Sequence, residues 1–264
     1  MKPMIVSYWE GKLSWLERLS FATMLAMGHP VQVFTRDVPT LRAALEGIDV
    51  FDVRDVLPDE APAILYHEQK HFALYADIVR IALLRQSRGL WCDADCILLN
   101  ALAQPGDYLM GWLDEGRRIN NAVLYMPSDS KLLETYWKAI TAIPVRAPWA
   151  TLRVRVLREL SILRGNDFPR DIEDMSIGPR ALTYFVERSG LTSHASPQAR
   201  FYPLRDSQTH LLIDADDRAA RAMIGPQTEI VHAWHGKLKR LKALDATPPV
   251  TSWLGQQCTT YGIR

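Results

Sequence analysis

Asp93 and Asp95 stand one residue apart between two apolar runs, Leu90-Trp91-Cys92 and Cys96-Ile97-Leu98-Leu99. In extended chain, alternate residues point to the same side, so the spacing predicts two carboxylates sharing one face in an apolar setting. Like charges buried together need a partner of opposite sign. A pair of hard oxygen ligands suits Mg²⁺ or Mn²⁺ held jointly with a diphosphate. Upstream, Asp77 and Arg80 lie at i and i+3, which puts them on one helix face able to look toward the Asp93 turn.

Other residues offer different chemistry. His67-Glu68-Gln69-Lys70-His71 spells H-E-x-x-H, which on a helix would place two imidazoles on one face for Zn²⁺, with Glu68 as general base. Against a zinc peptidase stand Lys70, a cation between the ligands, and Pro62 close upstream, which starts the helix late. Asp93-Ala94-Asp95-Cys96-Ile97 also approximates the nucleophile motif of haloacid-dehalogenase-type aspartyl phosphatases, although there the motif ends the first strand and here some ninety residues precede it. Cys92 and Cys96 flank the acidic turn, and core packing is the simpler reading for both. The cluster Lys237, Lys239, Arg240 and Lys242 reads as the wet face of a late helix, with peripheral contact to anionic lipid as its functional alternative.

The elements that must position these groups follow from periodicity. Pro3 to Trp9 reads as a strand. Ser14 caps a helix whose apolar face is Trp15, Leu16, Leu19, Phe21, Ala22, Leu25 and Ala26, with Glu17 completing a capping box and Gly28 as the stop. Val31 to Thr35 is a second strand, so a βαβ unit and a parallel sheet are expected. A loose segment with Pro39, Pro58 and Pro62 follows. A helix is predicted from about His71 to Arg88, with strands at Leu90–Cys92, Ile97–Leu99, Tyr108–Leu113, Asn121–Met126 and Thr228–Trp234. Further helices are predicted at Asp129–Ile143, Thr151–Leu163, Pro179–Arg188 and Lys237–Leu244. The pattern gives one domain over residues 1–246 and a tail over 247–264.

Composition narrows the class. Lys plus Arg total 31 against 30 for Asp plus Glu, a net charge of +1, so no global field favours nucleic acid. Three cysteines in 264 residues make no disulfide scaffold. The chain starts without a secretory-type apolar run, and no eighteen-residue apolar stretch occurs. A cytoplasmic protein is expected, at most touching the inner face of the membrane.

Tyr75-Ala76-Asp77-Ile78-Val79-Arg80, then Leu83-Leu84, then Arg88 to Asp95 resembles the DXD-containing sugar transferases of glycosyltransferase family 32 and their capsular-polysaccharide relatives. Their pattern is a small residue, Asp, two residues, Arg, an apolar helix, glycine, an aromatic and DXD. Thinner likenesses lie at Ser7-Tyr8-Trp9, Asn120-Asn121, Gly178-Pro179 and His232-Ala233-Trp234 through Lys237. Arg88 departs from the pattern, standing where many members carry the first glycine of a pair. The resemblance implies a GT-A-like α/β fold, a mostly parallel central sheet with helices on both faces. It implies metal-dependent transfer of a sugar from a nucleotide sugar, UDP-linked first and GDP-linked second, to a glycan or polysaccharide acceptor, with retention. The roles implied are Asp93 at the donor ribose and, through water, the metal; Asp95 and His232 on Mn²⁺ or Mg²⁺; and Asp77, Arg80 and Asn121 at the transferred sugar. Tyr8 and Trp9 would flank the base, and Trp234 and Lys237 the leaving diphosphate. A domain that binds the donor without turning it over would carry the same residues.

Overall fold

The computed structural model describes residues 2–59, 63–166 and 177–264. Pro62 and residues 167–176, parts of the segments expected to lack pattern, lie outside them. Ser14 caps α1 (Trp15–Ala26) with the reciprocal bonds of a capping box to Glu17, between β1 (Ile5–Tyr8) and β2 (Val31–Thr35). The expected loose segment carries α2 (Val38–Ala44) and β3 (Asp49–Asp52). Pro39 sits in the first turn of α2, where its missing N–H is not needed, so a residue read as a breaker is a starter.

After the short α3 (Ala63–Glu68), α4 (Phe72–Arg85) leads into β4 (Leu90–Cys92). Between them Gly89 takes φ +153°, and a Cβ there would lie 2.6 Å from the Met4 carbonyl oxygen. Only glycine lets the chain pass that close to β1. The expected loosening at Arg88 is offset by packing, since its guanidinium lies over Phe34 and Phe51 at 5.5 and 5.6 Å.

β5 (Cys96–Leu98), β6 (Leu109–Asp114), β7 (Arg118–Tyr125) and α5 (Lys131–Thr141) follow. Then come α6 (Leu152–Ile162), α7 (Pro179–Arg188), β8 (Ala195–Ser196), α8 (Gln198–Phe201) and α9 (Arg218–Met223). The chain closes with β9 (Ile230–His232), α10 (His235–Arg240) and α11 (Trp253–Thr260).

Seven strands form one sheet in the order β3-β2-β1-β4-β7-β6-β8. The first four and the β6–β8 pair run parallel, while β7 runs antiparallel to both its neighbours. The mostly parallel α/β architecture expected from the sequence is the one found. Side chains of β1 and β2 alternate between two cores, as a period of two requires. Val6, Tyr8 and Phe34 pack with residues of α4, α5 and α7 on one face. Ile5, Val31 and Val33 pack with Phe21, Met24 and Leu41 of α1 and α2 on the other. A third core gathers Leu16, Ile97, Val231, Leu238, Trp253 and Leu254. The segment from 247, expected as a tail, is therefore packed through α11, because its short apolar run finds α1 and β9. Among the described residues no helix is long and apolar enough to cross a membrane.

His29, 2% exposed, ties the two sheets together. Its Nδ1 lies 3.0 Å from the Pro3 carbonyl oxygen before β1, and the Leu102 N–H donates to its Nε2 at 3.0 Å. With Nε2 accepting, the ring is neutral and its proton sits on Nδ1. Burial holds its pKa below the ordinary 6.5. The unfolded chain thus takes up this proton near pH 6.5 and the native chain only at lower pH, so the stability His29 contributes is complete above that value and declines as pH falls below it. His29→Gln should lower unfolding free energy by about 1–3 kcal/mol at neutral pH, as buried backbone groups lose partners. In urea unfolding the gap between wild type and variant should narrow between pH 7.5 and 5.5; a constant gap would disprove the assignment.

Candidate active site at the ends of strands β1 and β4

In the order β3-β2-β1-β4, successive crossovers run outward from β1 and then return to its other side. The crevice beyond the carboxyl ends of β1 and β4 is therefore the switch point where open α/β sheets place ligands. Tyr8, Trp9 and Glu10 end β1, and Asp93 follows β4 directly.

The acidic pair does not sit in extended chain. Asp93 to Asp95 is a turn, closed by the Cys96 N–H donating to the Asp93 carbonyl at 3.2 Å. The carboxylates share a neighbourhood because the chain turns from one sheet into another, not because of a strand's period. β5 pairs with β9 in the register Cys96 opposite His232, and α1 holds the outer edge of β5: Ser20 Oγ donates to the Cys96 carbonyl at 2.7 Å and the Leu98 N–H to Thr23 Oγ1 at 3.0 Å.

Arg80 organises the site. Its guanidinium is 4% exposed and lies 4.6 Å over the Trp91 ring. Nη1 donates to Asp77 Oδ1, and Nη2 donates to Asp93 Oδ1 at 2.7 Å. Trp91 Nε1 donates to the same Asp93 oxygen at 2.6 Å, and Asn121 Nδ2 donates to Asp77 Oδ1 at 2.8 Å. The helix-face prediction for Asp77 and Arg80 therefore holds. Arg80 spends one N–H of each Nη on a carboxylate, which fixes Asp77 and Asp93 relative to one another. Its geometry is that of a positioning residue. Among the described residues the second oxygens of Asp77 and Asp93 accept no hydrogen bond. Beside Asp77 lies Gly178, where a Cβ would come within 2.6 Å of Asp77 Oδ2 and 3.0 Å of Asn121 Nδ2.

Asp95 faces His232, with Oδ1 at 3.1 Å from Nε2, and its Oδ2 accepts the His235 N–H at 2.7 Å. Burial disfavours its charge, but His232 and the His235 amide outweigh that and hold the carboxyl at about 2. Asp93 goes the other way, raised by burial and by the charge of Asp95 against the opposing pull of Arg80. His232 Nδ1 is buried without a partner. Among the described residues, Asp95, Cys96 and His232 form the one grouping of donors close enough for a metal ion. Two carboxylates, an imidazole with an unpartnered nitrogen and a free oxygen on Asp93 fit a divalent cation of the Mn²⁺ or Mg²⁺ kind. Burial pushes the Cys96 thiol well above its ordinary range, with Cys92 beside it, so both cysteines pack as core.

The remaining predicted residues spread around this centre. Tyr8 is 6% exposed, its hydroxyl donating to Glu10 Oε2 at 2.7 Å and its ring edge-on to Tyr75. Little of the Tyr8 ring is thus open to a ligand. Trp9 is half-buried, 5.1 Å from the His235 ring. Trp234 packs 4.1 Å from the His232 ring and donates from Nε1 to the Leu204 carbonyl at 3.1 Å. Lys237 is paired with Asp206 at 2.8 Å. Two partners were missed. Glu17, read only as a cap, is fully buried and its Oε1 lies 2.6 Å from His235 Nδ1. His235 thus joins Asp95, Glu17 and Trp9. A carboxylate buried in a capping box was the available signal, but its partner lies 218 residues away.

The H-E-x-x-H alternative loses its geometry. α3 ends at Glu68, Lys70 turns left-handed at φ 61°, and His71 caps α4, so the two imidazoles do not share a helix face. The aspartyl-phosphatase alternative needs Asp95 as an acid, whereas its carboxylate faces His232 and accepts the His235 N–H.

No protein-family model matches the sequence, and no curated protein matches it. Solved structures similar in fold include two glycosyltransferases. The PaToxG glycosyltransferase is 15% identical over 71% of this chain and 70% of its own, with a TM-score of 0.48. The apo form of the glycosyltransferase GlyE of Streptococcus pneumoniae TIGR4 is 12% identical over 88% of this chain and 54% of its own, with a TM-score of 0.40.

Removing the guanidinium leaves Asp77 and Asp93 half-buried without their cation. Arg80→Ala should cost about 3–5 kcal/mol in denaturant unfolding. Arg80→Lys should recover only part, because an ammonium cannot bridge two carboxylates as a planar fork does. Full recovery by lysine would show that charge alone suffices.

Proposed function

We propose that this chain is a metal-dependent glycosyltransferase, moving a sugar from a nucleoside-diphosphate sugar to a glycan or polysaccharide acceptor. The observation that carries the reading is the convergence, at the switch point, of donors that fit a cation (Asp95 and His232, with Asp93 beside them) and a polar cluster (Asp77, Asn121) joined to them through Arg80. The first suits a diphosphate with its metal and the second suits sugar hydroxyls. The DXD resemblance supports the same assignment, names UDP before GDP as the nucleotide, and carries the expectation of retention.

In this reading Asp95 and His232 hold Mn²⁺ or Mg²⁺ with help from Asp93, whose free oxygen also reaches the donor ribose. When bound, that cation supplies Lewis-acid stabilisation of the leaving diphosphate. The chain's own residues do the rest. Asp77 offers its unbonded oxygen to a sugar hydroxyl, oriented by Asn121 and Arg80. Gly178 lets the start of α7 come against Asp77 and Asn121, where a side chain would crowd both. Arg80 acts through the carboxylates it fixes. Trp9 flanks the base, Trp234 stands beside the diphosphate, and Lys237 contributes a phosphate contact once exchanged from Asp206. Fixed hydrogen-bond donors and carboxylates cost no reorganisation as charge develops on the leaving group.

Thermal unfolding against UDP, GDP and CMP, each with and without Mn²⁺, tests the site. One nucleotide diphosphate together with Mn²⁺ should raise Tm by several degrees, since ligand at about 100 times its Kd stabilises by roughly 2.7 kcal/mol. Asp95→Ala should keep its fold and lose both this shift and Mn²⁺-dependent transfer. Stabilisation by Zn²⁺ alone, or full turnover by Asp95→Ala, would overturn the proposal. A shift without turnover of any donor would leave a nucleotide-sugar binder.

Gly178→Ala places a methyl group against Asp77 and Asn121. It should leave the nucleotide shift intact while lowering sugar transfer by about tenfold or more, the scale on which small misplacements act. Unchanged transfer would place the sugar elsewhere.

A further inference from the structure

Helix α6 is built inside out. A surface helix normally turns its apolar stripe to the core and its charges to water. Here Leu152, Val156, Leu160 and Leu163 are 71, 50, 45 and 82% exposed, and Leu157 is 56% exposed. At about 100° per residue the first four fall within roughly 80° of one another, a single outward stripe. The buried side is held by a cation: Arg158, 5% exposed, donates from Nε to the Val145 carbonyl at 2.8 Å and from Nη1 to the Asn166 carbonyl at 2.7 Å. Beneath it lies a small core of Val145, Ala147 and Ala150 with Trp149 and Val154.

The charges around the stripe have one sign. Arg153 and Arg164 flank it on one side and Arg155 on the other. All three are exposed, and among the described residues none has a carboxylate partner. Glu159, the acid of this helix, is neutralised by Arg146 at 2.9 Å. An apolar stripe rimmed by unpaired arginines is complementary to a surface that is apolar within and negative at its boundary. We propose that α6 docks this protein on an anionic lipid membrane, leucines in the acyl boundary and Arg153, Arg155 and Arg164 among the headgroups.

The basic cluster of α10, read from sequence as a wet helix face with lipid contact as its alternative, is a poorer surface. Lys237 is taken by Asp206, Leu238 is buried, and Leu241 is the one exposed apolar side chain beside it. The α6 surface is also tied to the candidate site's own layer, since Trp149 packs on Phe185 of α7 at 5.6 Å and α7 starts at the Gly178 that borders Asp77. The docking proposal does not depend on sugar transfer.

Flotation of the full chain with phosphatidylcholine vesicles, with and without about 40 mol% phosphatidylglycerol, tests it. Binding to the anionic vesicles should exceed binding to the neutral ones by about tenfold or more, and should weaken in about 0.5 M salt. The double variant L152S/L163S should lose about tenfold or more, and R153E/R155E about fivefold or more per charge, both with unchanged circular dichroism and Tm because the side chains are exposed. Equal binding to both vesicles, no binding, or binding indifferent to both variants would overturn the proposal. So would light scattering that finds a dimer converted to monomer by L152S/L163S, which would assign the stripe to a second copy of the chain.

Discussion

Everything at the candidate site hangs on a buried guanidinium. Arg80 reaches Asp77 one turn back on its own helix and Asp93 thirteen residues on, across the break between α4 and β4. Asp77 and Asp93 stand close together, and a single permanent cation between them makes this tolerable. Only a side chain that cannot lose its proton and presents several donors in a plane fixes two carboxylates at once. The arrangement leaves excess negative charge on the open side, toward Asp95, and one unbonded oxygen on each of Asp77 and Asp93. A fully satisfied cluster would be structural; this one faces the crevice unfinished.

The second constraint is topological. At Asp93 the chain leaves the seven-stranded sheet, and three residues later it belongs to a two-stranded ribbon with β9. The β5–β9 register decides that His232 falls opposite Cys96, next to Asp95. The α1 hydroxyls Ser20 and Thr23 satisfy backbone groups of β5 that would otherwise be orphaned at an edge. A capped N-terminal helix thus fixes the far side of a site whose ligands come from the middle and the end of the chain.

Much of this was legible in the sequence, and the gaps have physical causes. Strong periodic elements such as α1, α4, α5 and α7, and the apolar strands β1, β2 and β4, follow from local pattern. The Asp77–Arg80–Asp93 connection followed from helix spacing. The Pro39 segment was misread because proline is a breaker in a helix interior and a starter in its first turn. The packed end at α11 was missed because its helix is short and its burial is supplied by α1 and β9, not by its own pattern. Sequence supplies the charge of Arg80 without saying that it bridges Asp77 to Asp93. The Glu17–His235 contact spans most of the chain, and no local rule reaches that far.

The backbone at Trp234 shows how these constraints converge. A tryptophan at φ 57°, ψ 62° occupies a left-handed conformation that bulky residues avoid, so its surroundings must over-determine it. Three contacts do so. The indole donates to Leu204, its ring packs on His232, and the next amide, His235 N–H, points at Asp95 Oδ2. A regular continuation of β9 would carry the His235 amide away from the acidic turn and leave Asp95 with His232 alone. The left-handed residue reverses the chain so that a backbone donor and an imidazole, three residues apart, address the same carboxylate. The same reversal starts α10 and sends the His235 ring back to Glu17, locking the end of the chain to its first helix. Strain placed at this residue therefore serves the carboxylate that the metal-binding proposal needs most.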